Sequence, residues 1–526
     1  MRRRSGPVLA GLLVMLALRA GLLAAGVVPF NSDEAVVALM ARHILAGERP
    51  IFFYGQAYLG SLDAWLVAGA FRTLGEGVLA VRVVQVALYA GTLLSAYAVA
   101  LKLFGDRWRA GLTALWLAVP PVVLTLYTTA SLGGYGEALL IGNLLWWLGL
   151  HLIQTAGADW RAWLALGLLT GFGWWVFPLT AVYALPAWVA ALWAGRRRPW
   201  AAQAARFLAA GAAALLGAGP WWWATLSGAA TLAETGGAAI AGVSGGPWWS
   251  VLGLRLLSLG LFGTTVVFGL RPAWSVEWLA LPLAPLALAA YGLAGWAGWR
   301  RGPVRAGLSL VLGTGGLLCA AFVLTPFGAD PSGRYFLPLV MVLALLVADG
   351  LGELRGRHAR LALGLSAGVL AFNLWGTVQA AAAFPPGLTT QFDPVAQVDM
   401  RALPELIDFL QARGETRGYT NYWVAYPLAF LSGEALLYTP RLPYHEDLRY
   451  TPRDDRYPPY GAAVAAAPRT AFILTRHLAL EARLRAGLQA LGVAFTEARI
   501  GEFQVFYALA RPVRPEELGL GQACCP

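Results

Sequence analysis

The sequence Pro29-Phe30-Asn31-Ser32-Asp33-Glu34-Ala35 directly follows the first apolar run, residues 8–28. It places two carboxylates side by side where the chain leaves a long hydrophobic segment, although only 13% of all residues are charged. A carboxylate beside an apolar wall has its charged form disfavoured and can act as a base near neutral pH. The same residues fit the first turn of a helix capped by Asn31 or Ser32, where the helix dipole favours negative charge. The two interpretations are compatible.

Composition places the chain among polytopic membrane proteins. Of its 526 residues 58% are hydrophobic and the mean hydropathy is +0.60, whereas soluble domains average about 45–50% apolar residues. Runs of roughly 17–25 apolar residues, long enough to cross a bilayer as helices, recur along the first three quarters of the chain. The sequence predicts eleven spans, at residues 8–28, 78–101, 110–127, 137–153, 162–178, 179–195, 202–224, 276–299, 304–325, 334–350 and 360–381.

Basic residues orient these spans. Residues 1–381 carry 25 Lys and Arg against 13 Asp and Glu, whereas residues 382–526 carry 14 against 15. Most basic residues of the first part fall on one side of the predicted topology, and basic loops stay in the cytoplasm. We therefore expect a cytoplasmic N-terminus, with the loop of Asp33, the turn before Glu137 and the loop before Arg334 outside. The charge excess belongs to membrane loops and gives no indication of a nucleic-acid partner.

One apolar segment, residues 251–271, is long enough to span but is ambiguous. A span there would move the basic residues within 300–305 to the outer side. It would also separate Arg334 from Asp33 across the membrane. We therefore expect a re-entrant or surface-lying helix on the outer face, after the glycine-rich stretch 236–246.

Two regions outside the spans have structure of their own. The first outer loop, about residues 29–77, is too long for a connector, and helical spacing at 35–45 and 62–74 predicts two interfacial helices. Beyond the last span, alternating helix and strand signals predict a small α/β domain. The chain is thus divided into a transmembrane domain, 1–381, and an extracytoplasmic domain, 382–526. In the latter, helices are expected at 403–413, 423–431 and 478–491, and strands at 417–420, 436–439, 470–475 and within 493–509.

Two charged residues at the ends of later spans are candidates for chemistry. Glu137, in Gly134-Tyr135-Gly136-Glu137, is either a partner of the helix dipole or a second acid that positions an acceptor or a divalent cation through oxygen ligands. Arg334 precedes the tenth span. Its guanidinium matches a phosphate bidentately, although an arginine there can also anchor the span at the headgroups.

Uncharged and loop residues give weaker signals. Tyr54, Gln56 and Tyr58 offer donors and acceptors that suit sugar hydroxyls and equally suit loop packing. His43 is expected to be structural. The loop residues 444–447 and 454–455 are expected to be solvated rather than metal ligands.

Cysteines and glycine motifs narrow the chemistry further. Cys319 and the pair Cys524-Cys525 form neither a disulfide framework nor a metal site by spacing. No nucleotide-binding glycine motif follows a strand, which favours a lipid-linked donor over a nucleotide-linked one.

The layout of the chain resembles the GT-C superfamily of membrane glycosyltransferases. The basic N-terminus, the first span and the motif 32–35 opening a long outer loop carry this resemblance, together with motif 134–137 and the arginine-tyrosine motif 330–338. The branch it resembles contains protein O-mannosyltransferases and the aminoarabinose transferase of lipid A. That branch has a Pro-Pro-Leu-type sequence after the acidic pair, where this chain has residues 53–62, so neither activity is assigned directly.

The resemblance implies a fold and a mechanism. The fold would be an all-α polytopic membrane domain of GT-C type with a small C-terminal extracytoplasmic α/β domain. Asp33, with Glu34 as second choice, would be the general base that deprotonates an acceptor hydroxyl. That hydroxyl would attack the anomeric carbon of a sugar on a polyprenyl phosphate, with inversion. Arg334 and Tyr335 would bind the donor phosphate.

The resemblance also implies partners and a location. These are a polyprenyl-phosphate-linked sugar, the lipid bilayer and a glycan, lipid or protein acceptor, on the outer face of the cytoplasmic membrane. The chain would be multi-pass, with its C-terminal domain extracytoplasmic. Some GT-C enzymes use a divalent metal ion and others do not, so a metal at the acidic motifs stays open and no other cofactor is expected.

Two other classes of function compete with an enzyme. A transporter or flippase for lipid-linked sugars would place polar residues near the bilayer midplane, often in broken helices. Here the acidic residues cluster at one edge of the predicted spans, which favours catalysis. A non-catalytic envelope assembly protein would use the C-terminal domain for binding alone.

Overall fold

The computed structural model describes residues 6–237, 247–301, 305–330, 332–383 and 386–520. The basic residues Arg2–Arg4, most of the glycine-rich stretch, Pro331, Pro385 and the cysteine pair Cys524-Cys525 lie outside the described residues. The chain forms two compact units. The first unit comprises Met1–Ala25, Ala57–Asp63 and Arg82–Ala382, and the second comprises Gly26–Gln56, Ala64–Val81 and Ala383–Pro526.

Helices dominate the chain up to residue 382. They are α1 (Gly6–Ala24), α2 (Ser32–Ala46), α3 (Leu62–Leu74), α4 (Val78–Phe104), α5 (Arg107–Ala118), α6 (Val122–Tyr127), α7 (Tyr135–Gln154), α8 (Trp160–Val176), α9 (Ala181–Ala194), α10 (Trp200–Gly217), α11 (Gly219–Leu226), α12 (Thr231–Thr235), α13 (Trp248–Leu257), α14 (Thr264–Val267), α15 (Ala284–Arg301), α16 (Ala306–Leu324), α17 (Leu337–Arg357) and α18 (Ala359–Ala382). Short 3-10 turns lie at Pro178–Thr180, Leu281–Leu283, Pro326–Ala329 and Arg334–Phe336, and two short strands are β1 (Phe52–Phe53) and β2 (Gln56–Gly60).

Eight helices among the described residues are long and apolar enough to cross a membrane, or nine if the bent pair α10 and α11 is one span. Seven of the eight coincide with predicted spans, since they begin at Gly6, Val78, Tyr135, Leu281, Ala306, Arg334 and Ala359. The shorter α8 and α9 are joined by Phe177 and the 3-10 turn Pro178–Thr180. The number of eleven spans stays a prediction.

Two predicted spans are not continuous helices. The span at 110–127 is divided into α5 and α6 by Pro120 and Pro121, because proline donates no backbone N–H and clashes with the preceding turn. The span at 202–224 bends by 62° between α10 and α11. The bend falls at Ala218, directly before the Gly219-Pro220 pair.

The segment predicted to be re-entrant forms one apolar stretch, Trp248–Val267, that is long enough to cross the membrane. Its middle, Ser258–Gly263, is π-helical. Such π-helical turns are rare and often occur at functional sites. Length and composition therefore admit a span here. The re-entrant placement stays a prediction.

Glycines set the closest helix packing in the first unit, where α8 lies against α10. A Cβ atom at Gly171 would lie 1.8 Å from the carbonyl oxygen of Ala214, and one at Gly167 would lie 2.0 Å from that of Ala210. Only glycine permits this approach. Such small-residue contacts are typical of helix association in membranes.

The second unit contains the small α/β domain that the sequence predicts. Five strands lie in the order β4-β3-β5-β7-β6, with β3 parallel to β4 and β5, and with β5, β7 and β6 antiparallel. Leu406, Leu428 and Phe503 belong to its apolar core. Its elements are α19 (Leu403–Ala412), β3 (Arg417–Thr420), α20 (Tyr422–Leu431), β4 (Leu437–Pro440), α21 (Pro458–Ala465), β5 (Ala471–Leu474), α22 (Leu478–Ala490), β6 (Thr496–Ile500) and β7 (Phe503–Tyr507), with 3-10 turns at Pro394–Ala396, Met400–Ala402, Pro452–Asp454 and Pro515–Leu518.

The compact units divide the chain differently from the two predicted domains. Most of the first outer loop, including helix α2, belongs to the second unit together with the C-terminal segment. The boundary near residue 382 is common to both divisions. The assignment of 1–381 and 382–526 to two domains stays a prediction.

Candidate active site

The acidic pair lies in the first turn of helix α2, as the sequence predicts. Asn31 is the N-cap, and its side-chain oxygen accepts a hydrogen bond from the backbone N–H of Glu34 at 3.1 Å. The helix begins at Ser32, so Asp33 and Glu34 both occupy the positive end of its dipole. The interpretation as a helix cap is confirmed, and it leaves a catalytic role open.

Asp33 is half-buried and has a fixed direction within the second unit. Its Oδ1 accepts a hydrogen bond from the Tyr422 hydroxyl at 2.5 Å, and the Ser32 hydroxyl donates to the backbone carbonyl of Tyr422. Tyr422 begins helix α20, where Asn421 accepts from the backbone N–H of Trp423 at 3.0 Å. Two neighbouring residues of α2 therefore hold the first residue of α20.

Glu34 has a different environment from Asp33 although it is the next residue. Its side chain is 0% exposed, whereas Asp33 is partly exposed. Since successive helical residues point about 100° apart, one carboxylate faces the interior and the other an open edge.

A half-buried arginine that sequence reasoning missed lies against Tyr422, the hydrogen-bond partner of Asp33. The guanidinium carbon of Arg456 is 5.3 Å from the centre of the Tyr422 ring. Its aliphatic part packs so closely on Gly55 that a Cβ there would lie 3.0 Å away. With its amide oxygen turned toward this group, Gln56 accepts from Arg456 at 2.7 and 3.0 Å. Burial lowers the pKa of Arg456, but the charges on Tyr422 and Asp33 raise it above its ordinary value overall.

Asp454 corrects the prediction of a solvated loop at 454–455. It is 7% exposed, and its backbone carbonyl accepts from the Tyr426 hydroxyl at 2.9 Å. The pKa of Asp454 is raised to about 7 overall: burial raises it most, Arg456 lowers it, and the like charge of Asp33 raises it. The loop packs against helix α20, a contact that its polar composition does not predict.

Tyr54 lies in a polar cluster of the second unit with His43. The Tyr54 hydroxyl donates to Glu48 at 2.5 Å, and His43 Nδ1 is 3.0 Å from the same hydroxyl. His43 Nε2 lies 3.1 Å from Glu434. The hydrogen bond from His43 is the main cause that lowers the pKa of Glu434 to about 2. These contacts fix the loop around Tyr54.

Arg334 and Tyr335 form the corresponding basic site in the first unit. Arg334 Nη2 lies 2.5 Å from Asp330 Oδ2, and its guanidinium carbon is 5.1 Å from the centre of the Tyr335 ring. Gly333 precedes them with φ +76°, which only glycine adopts readily. The Tyr335 hydroxyl is buried and has no hydrogen-bond partner in the part of the chain that the structure describes.

An apolar cavity of about 240 Å³ adjoins Tyr335 in the first unit. Tyr58 also lines it, and its ring centre is 6.3 Å from that of Phe177. The walls come from α8, α9 and α16 and from the turns beside them. Its lining residues include Tyr58, Trp174, Phe177, Leu185, Leu318, Phe322, Phe327 and Tyr335.

Glu137 is the most isolated of the candidate acids. It lies in the first turn of α7, is 2% exposed, and neither side-chain oxygen has a partner among the described residues. It feels the charge of Asp63. Asp63 itself accepts from Gln85 at 2.9 Å and from the Ser131 hydroxyl. Two carboxylates thus lie near one another inside the first unit.

The donor set does not favour a metal at these acids. Within the described ranges, no group of three or more His, Cys, Asp or Glu side chains could hold a metal ion. Ca²⁺ takes about six to eight oxygen ligands, more than Asp63 and Glu137 alone provide.

The predicted site residues fall into two groups. Asp33, Glu34, Tyr54 and Gln56 belong to the second unit, whereas Tyr58, Glu137, Arg334 and Tyr335 belong to the first. Tyr422, Asp454, Arg456 and Asp63 were missed. A charge run such as Asp454-Asp455-Arg456 inside a tyrosine-rich loop was the available signal for two of them.

Comparison with known proteins supports the resemblance. Residues 61–223 match the family model of dolichyl-phosphate-mannose-protein mannosyltransferase. No curated protein matches the sequence closely enough to count as a relative. The family match covers part of the membrane-embedded chain and includes Glu137.

Solved structures show the fold over nearly the whole chain. ArnT from Cupriavidus metallidurans bound to undecaprenyl phosphate is 13% identical, with a TM-score of 0.62 over 96% of this chain and 98% of that chain. Its apo state gives the same identity and score over 95% and 98%. The oligosaccharyltransferase AglB from Archaeoglobus fulgidus, in complex with an inhibitory peptide and a dolichol-phosphate, is 12% identical, with a TM-score of 0.51 over 97% and 74%. The predicted GT-C resemblance and fold class are confirmed.

Proposed function

We propose that this chain is an integral membrane glycosyltransferase that moves a sugar from a polyprenyl-phosphate donor to an acceptor hydroxyl on the outer face of the cytoplasmic membrane. The observation that carries the proposal is the hydrogen bond from Tyr422 to Asp33, which fixes a partly exposed carboxylate at the opening of helix α2. A general base needs such a fixed direction, because proton transfer requires a hydrogen-bonded approach.

Asp33 acts on the acceptor in this mechanism. Its free oxygen takes the proton of the acceptor hydroxyl as that oxygen forms a bond to the anomeric carbon. The bond from this carbon to the phosphate oxygen breaks at the opposite face, and its electron pair leaves with the polyprenyl phosphate. The configuration at the anomeric carbon is therefore inverted. Full burial of Glu34 makes Asp33 the better base of the two.

Arg334 meets the charge of the leaving phosphate. A guanidinium can bind two phosphate oxygens at once, and no proton donor is needed if a cation stabilises the developing charge. Arg334 is paired with Asp330, so the donor phosphate would have to replace this carboxylate or share the guanidinium with it. The Tyr335 hydroxyl is available as a further donor.

The apolar cavity beside Tyr335 suits the lipid part of the donor. Its walls are aromatic and aliphatic, so burying a prenyl segment there removes apolar surface from the polar headgroup region. The similar structures were solved with undecaprenyl phosphate or dolichol-phosphate bound. These ligands support a lipid-phosphate donor for this chain. Glu137 is proposed to position the acceptor or the donor sugar.

A transfer assay tests this function directly. The purified full chain is incubated with labelled polyprenyl-phosphate sugars and a membrane extract, and the labelled product is identified. We expect one sugar to be transferred with inversion. Asp33→Asn should lower the rate about 10²–10⁴-fold, the range of a positioned general base.

The exposed carboxylate Glu405 on helix α19 provides the control. Glu405→Gln should keep the rate, while circular dichroism checks that both variants are folded. A folded Asp33→Asn protein with full activity would show that the base is assigned wrongly. Transport of the lipid-linked sugar across vesicles without transfer would favour the flippase alternative.

A further inference from the structure

A surface cavity of about 640 Å³ in the second unit has no role in the mechanism above. Aromatic and charged side chains line it together. Phe392, Trp423 and Tyr444 supply ring faces, and Phe392 is 41% exposed. The rings of Trp423 and Tyr444 have centres 6.1 Å apart, and the buried indole N–H of Trp423 has no partner within the described part of the chain.

The charged lining residues are mainly acidic. Asp393, Glu446 and Asp447 line this cavity together with one arginine, Arg449. Asp393 is also paired with His445, at 3.1 Å between Oδ2 and Nδ1. The carboxylate side chain of Glu446 is exposed to solvent. The cavity thus offers hydrogen-bond acceptors next to flat apolar faces.

Two lining residues connect the cavity with Asp33. The ring centre of Trp423 lies 5.1 Å from that of Tyr422, whose hydroxyl donates to Asp33. Tyr444 is close enough to Asp33 to feel its charge: burial raises the pKa of Tyr444, and the charges of Asp454 and Asp33 raise it further. The side chain of Tyr422 thus connects the Trp423 wall of the cavity with the carboxylate that is proposed as the base, and all of these residues belong to the second unit.

We propose that this cavity binds the acceptor and that the acceptor is a neutral glycan. This inference rests on the proposed function and names the substrate class of the same site. A sugar unit would stack its C–H face on Trp423 or Phe392. Its hydroxyl groups would donate hydrogen bonds to Asp393 and Glu446. One hydroxyl of the bound unit would then reach Asp33.

Charge disfavours anionic acceptors, and the aromatic walls favour a glycan. Three carboxylates against one guanidinium disfavour phosphate-bearing or otherwise anionic molecules. Sugars combine apolar ring faces with many hydroxyl donors, which matches aromatic walls and carboxylate acceptors. The volume lies within the range of roughly 300–1,000 Å³ typical of small-molecule sites.

Binding without transfer separates this inference from the proposed function. The purified full chain is mixed with neutral disaccharides, an amino sugar and glucose 1-phosphate, and binding is followed by saturation-transfer NMR. We expect the neutral disaccharides to give the strongest signal. Phe392→Ala and Glu446→Gln should each weaken it about tenfold, whereas Glu405→Gln, an exposed carboxylate elsewhere in the same unit, should not.

Donor hydrolysis provides the second readout. Transfer of the sugar to water does not need the acceptor cavity, so Phe392→Ala and Glu446→Gln should keep hydrolysis while raising the acceptor KM. Asp33→Asn should lose transfer but keep binding. Preference for glucose 1-phosphate, preference for the amino sugar, no binding, or signals unchanged in both cavity variants would each overturn the inference. Absence of hydrolysis and transfer in the wild type would instead contradict the proposed function.

A second cavity, of about 270 Å³ in the first unit, carries an independent inference. Lys102, Arg109 and Arg305 line it, and no carboxylate is among its lining residues. Arg109 has Asp349 at 3.6 Å, and its buried Nε has no hydrogen bond in the described chain. Lys102 lies over the ring of Trp147 at 4.8 Å.

We infer that this basic cavity binds the headgroup of an anionic phospholipid. Its remaining walls are apolar, from Leu103, Leu150, Ile153 and Leu308, so an acyl chain can follow the headgroup. The residues lie at the ends of candidate spans α4 and α16 and beside the start of α5. Basic pockets between membrane helices are a recurrent setting for acidic lipid headgroups.

Native mass spectrometry of the detergent-purified chain with dioleoyl phosphatidylglycerol or dioleoyl phosphatidylcholine tests this site. We expect at least about tenfold preference for phosphatidylglycerol. The double variant Lys102→Gln/Arg305→Gln should lose it. Arg357→Gln/Arg360→Gln removes two exposed charges outside the cavity and should keep it. Equal retention in both double variants, or displacement of the lipid by millimolar inorganic phosphate, would overturn the assignment to a lipid.

Discussion

Asp33 and Glu137 occupy the same kind of position in two different units. Each lies in the first turn of a helix, α2 or α7, where the dipole favours a negative charge. Asp33 is half-buried and accepts a hydrogen bond from Tyr422. Glu137 is almost fully buried, and neither oxygen has a partner among the described residues.

A position at a helix N-terminus is therefore not sufficient to make a carboxylate a general base. A hydrogen bond to one carboxylate oxygen sets the direction of the other, and partial exposure lets a substrate hydroxyl approach. A buried carboxylate without partners is costly in its charged form. Glu137 therefore fits a neutral or positioning role better than proton abstraction.

The largest expected contrast is between Asp33→Asn and Glu137→Gln in the same transfer assay. Asp33→Asn removes the base and should lower kcat about 10²–10⁴-fold. Glu137→Gln keeps the size and polarity of the side chain and should stay within about tenfold of the wild type. A larger loss from Glu137→Gln than from Asp33→Asn would reverse the assignment.

Tyr422→Phe tests what holds Asp33. The variant removes one hydrogen bond to a carboxylate, which contributes about 1.5–3 kcal/mol, so kcat should fall roughly 10–100-fold. The KM for the donor should stay unchanged, because Tyr422 positions Asp33 and is not assigned to the donor. Tyr438→Phe removes a buried tyrosine hydroxyl that donates to the Glu415 carbonyl in the α/β core, away from Asp33, and serves as the control. A change in donor KM with unchanged kcat would contradict this role.

Asp454 shares the surroundings of Asp33 and the burial of Glu137. Its folded-state pKa of about 7 lies above the ordinary value of 3.8, so the folded state binds this proton more tightly than the unfolded state. Its contribution to stability is therefore present below about pH 4 and is lost as the pH rises to about 7. Asp454→Asn should reduce the loss of stability between about pH 5 and pH 8 by on the order of 1–3 kcal/mol.

Thermal unfolding of the variant and the wild type at several pH values measures this effect. Glu405→Gln should keep the wild-type dependence on pH. An unchanged dependence in Asp454→Asn would show that this carboxyl does not titrate in the stated range.

The smallest expected effect is on the stability of the Glu137→Gln protein. Replacing this buried, unpartnered carboxyl group by an amide removes the cost of ionising it near Asp63 and keeps a hydrogen-bond donor in its place. The gain is offset in part by burying the amide, so we expect about 1 kcal/mol of added stability. Thermal unfolding in detergent measures it. A clear loss of stability would indicate that the Glu137 carboxyl group makes a stabilising interaction in the folded protein.

Local patterns determined much of the fold. The N-cap at Asn31, the strand at 417–420 and the break between α8 and α9 at Pro178 follow from capping, alternation and proline chemistry, which act within a few residues. The prediction of one continuous helix at 110–127 is wrong, because the hydropathy is continuous there while two prolines interrupt the helical hydrogen bonds. Hydropathy alone does not register a missing N–H group.

Sequence patterns predict a polytopic membrane protein with an acidic pair at a helix N-terminus and an α/β segment after the last span. These features depend on composition and on spacing along the chain. Tertiary packing determines that Tyr422 holds Asp33, that Arg456 lies over the Tyr422 ring and that Asp454 is buried. The first of these contacts joins residues almost 400 positions apart. The burial of a polar loop depends on which helix packs against it, which no local period encodes.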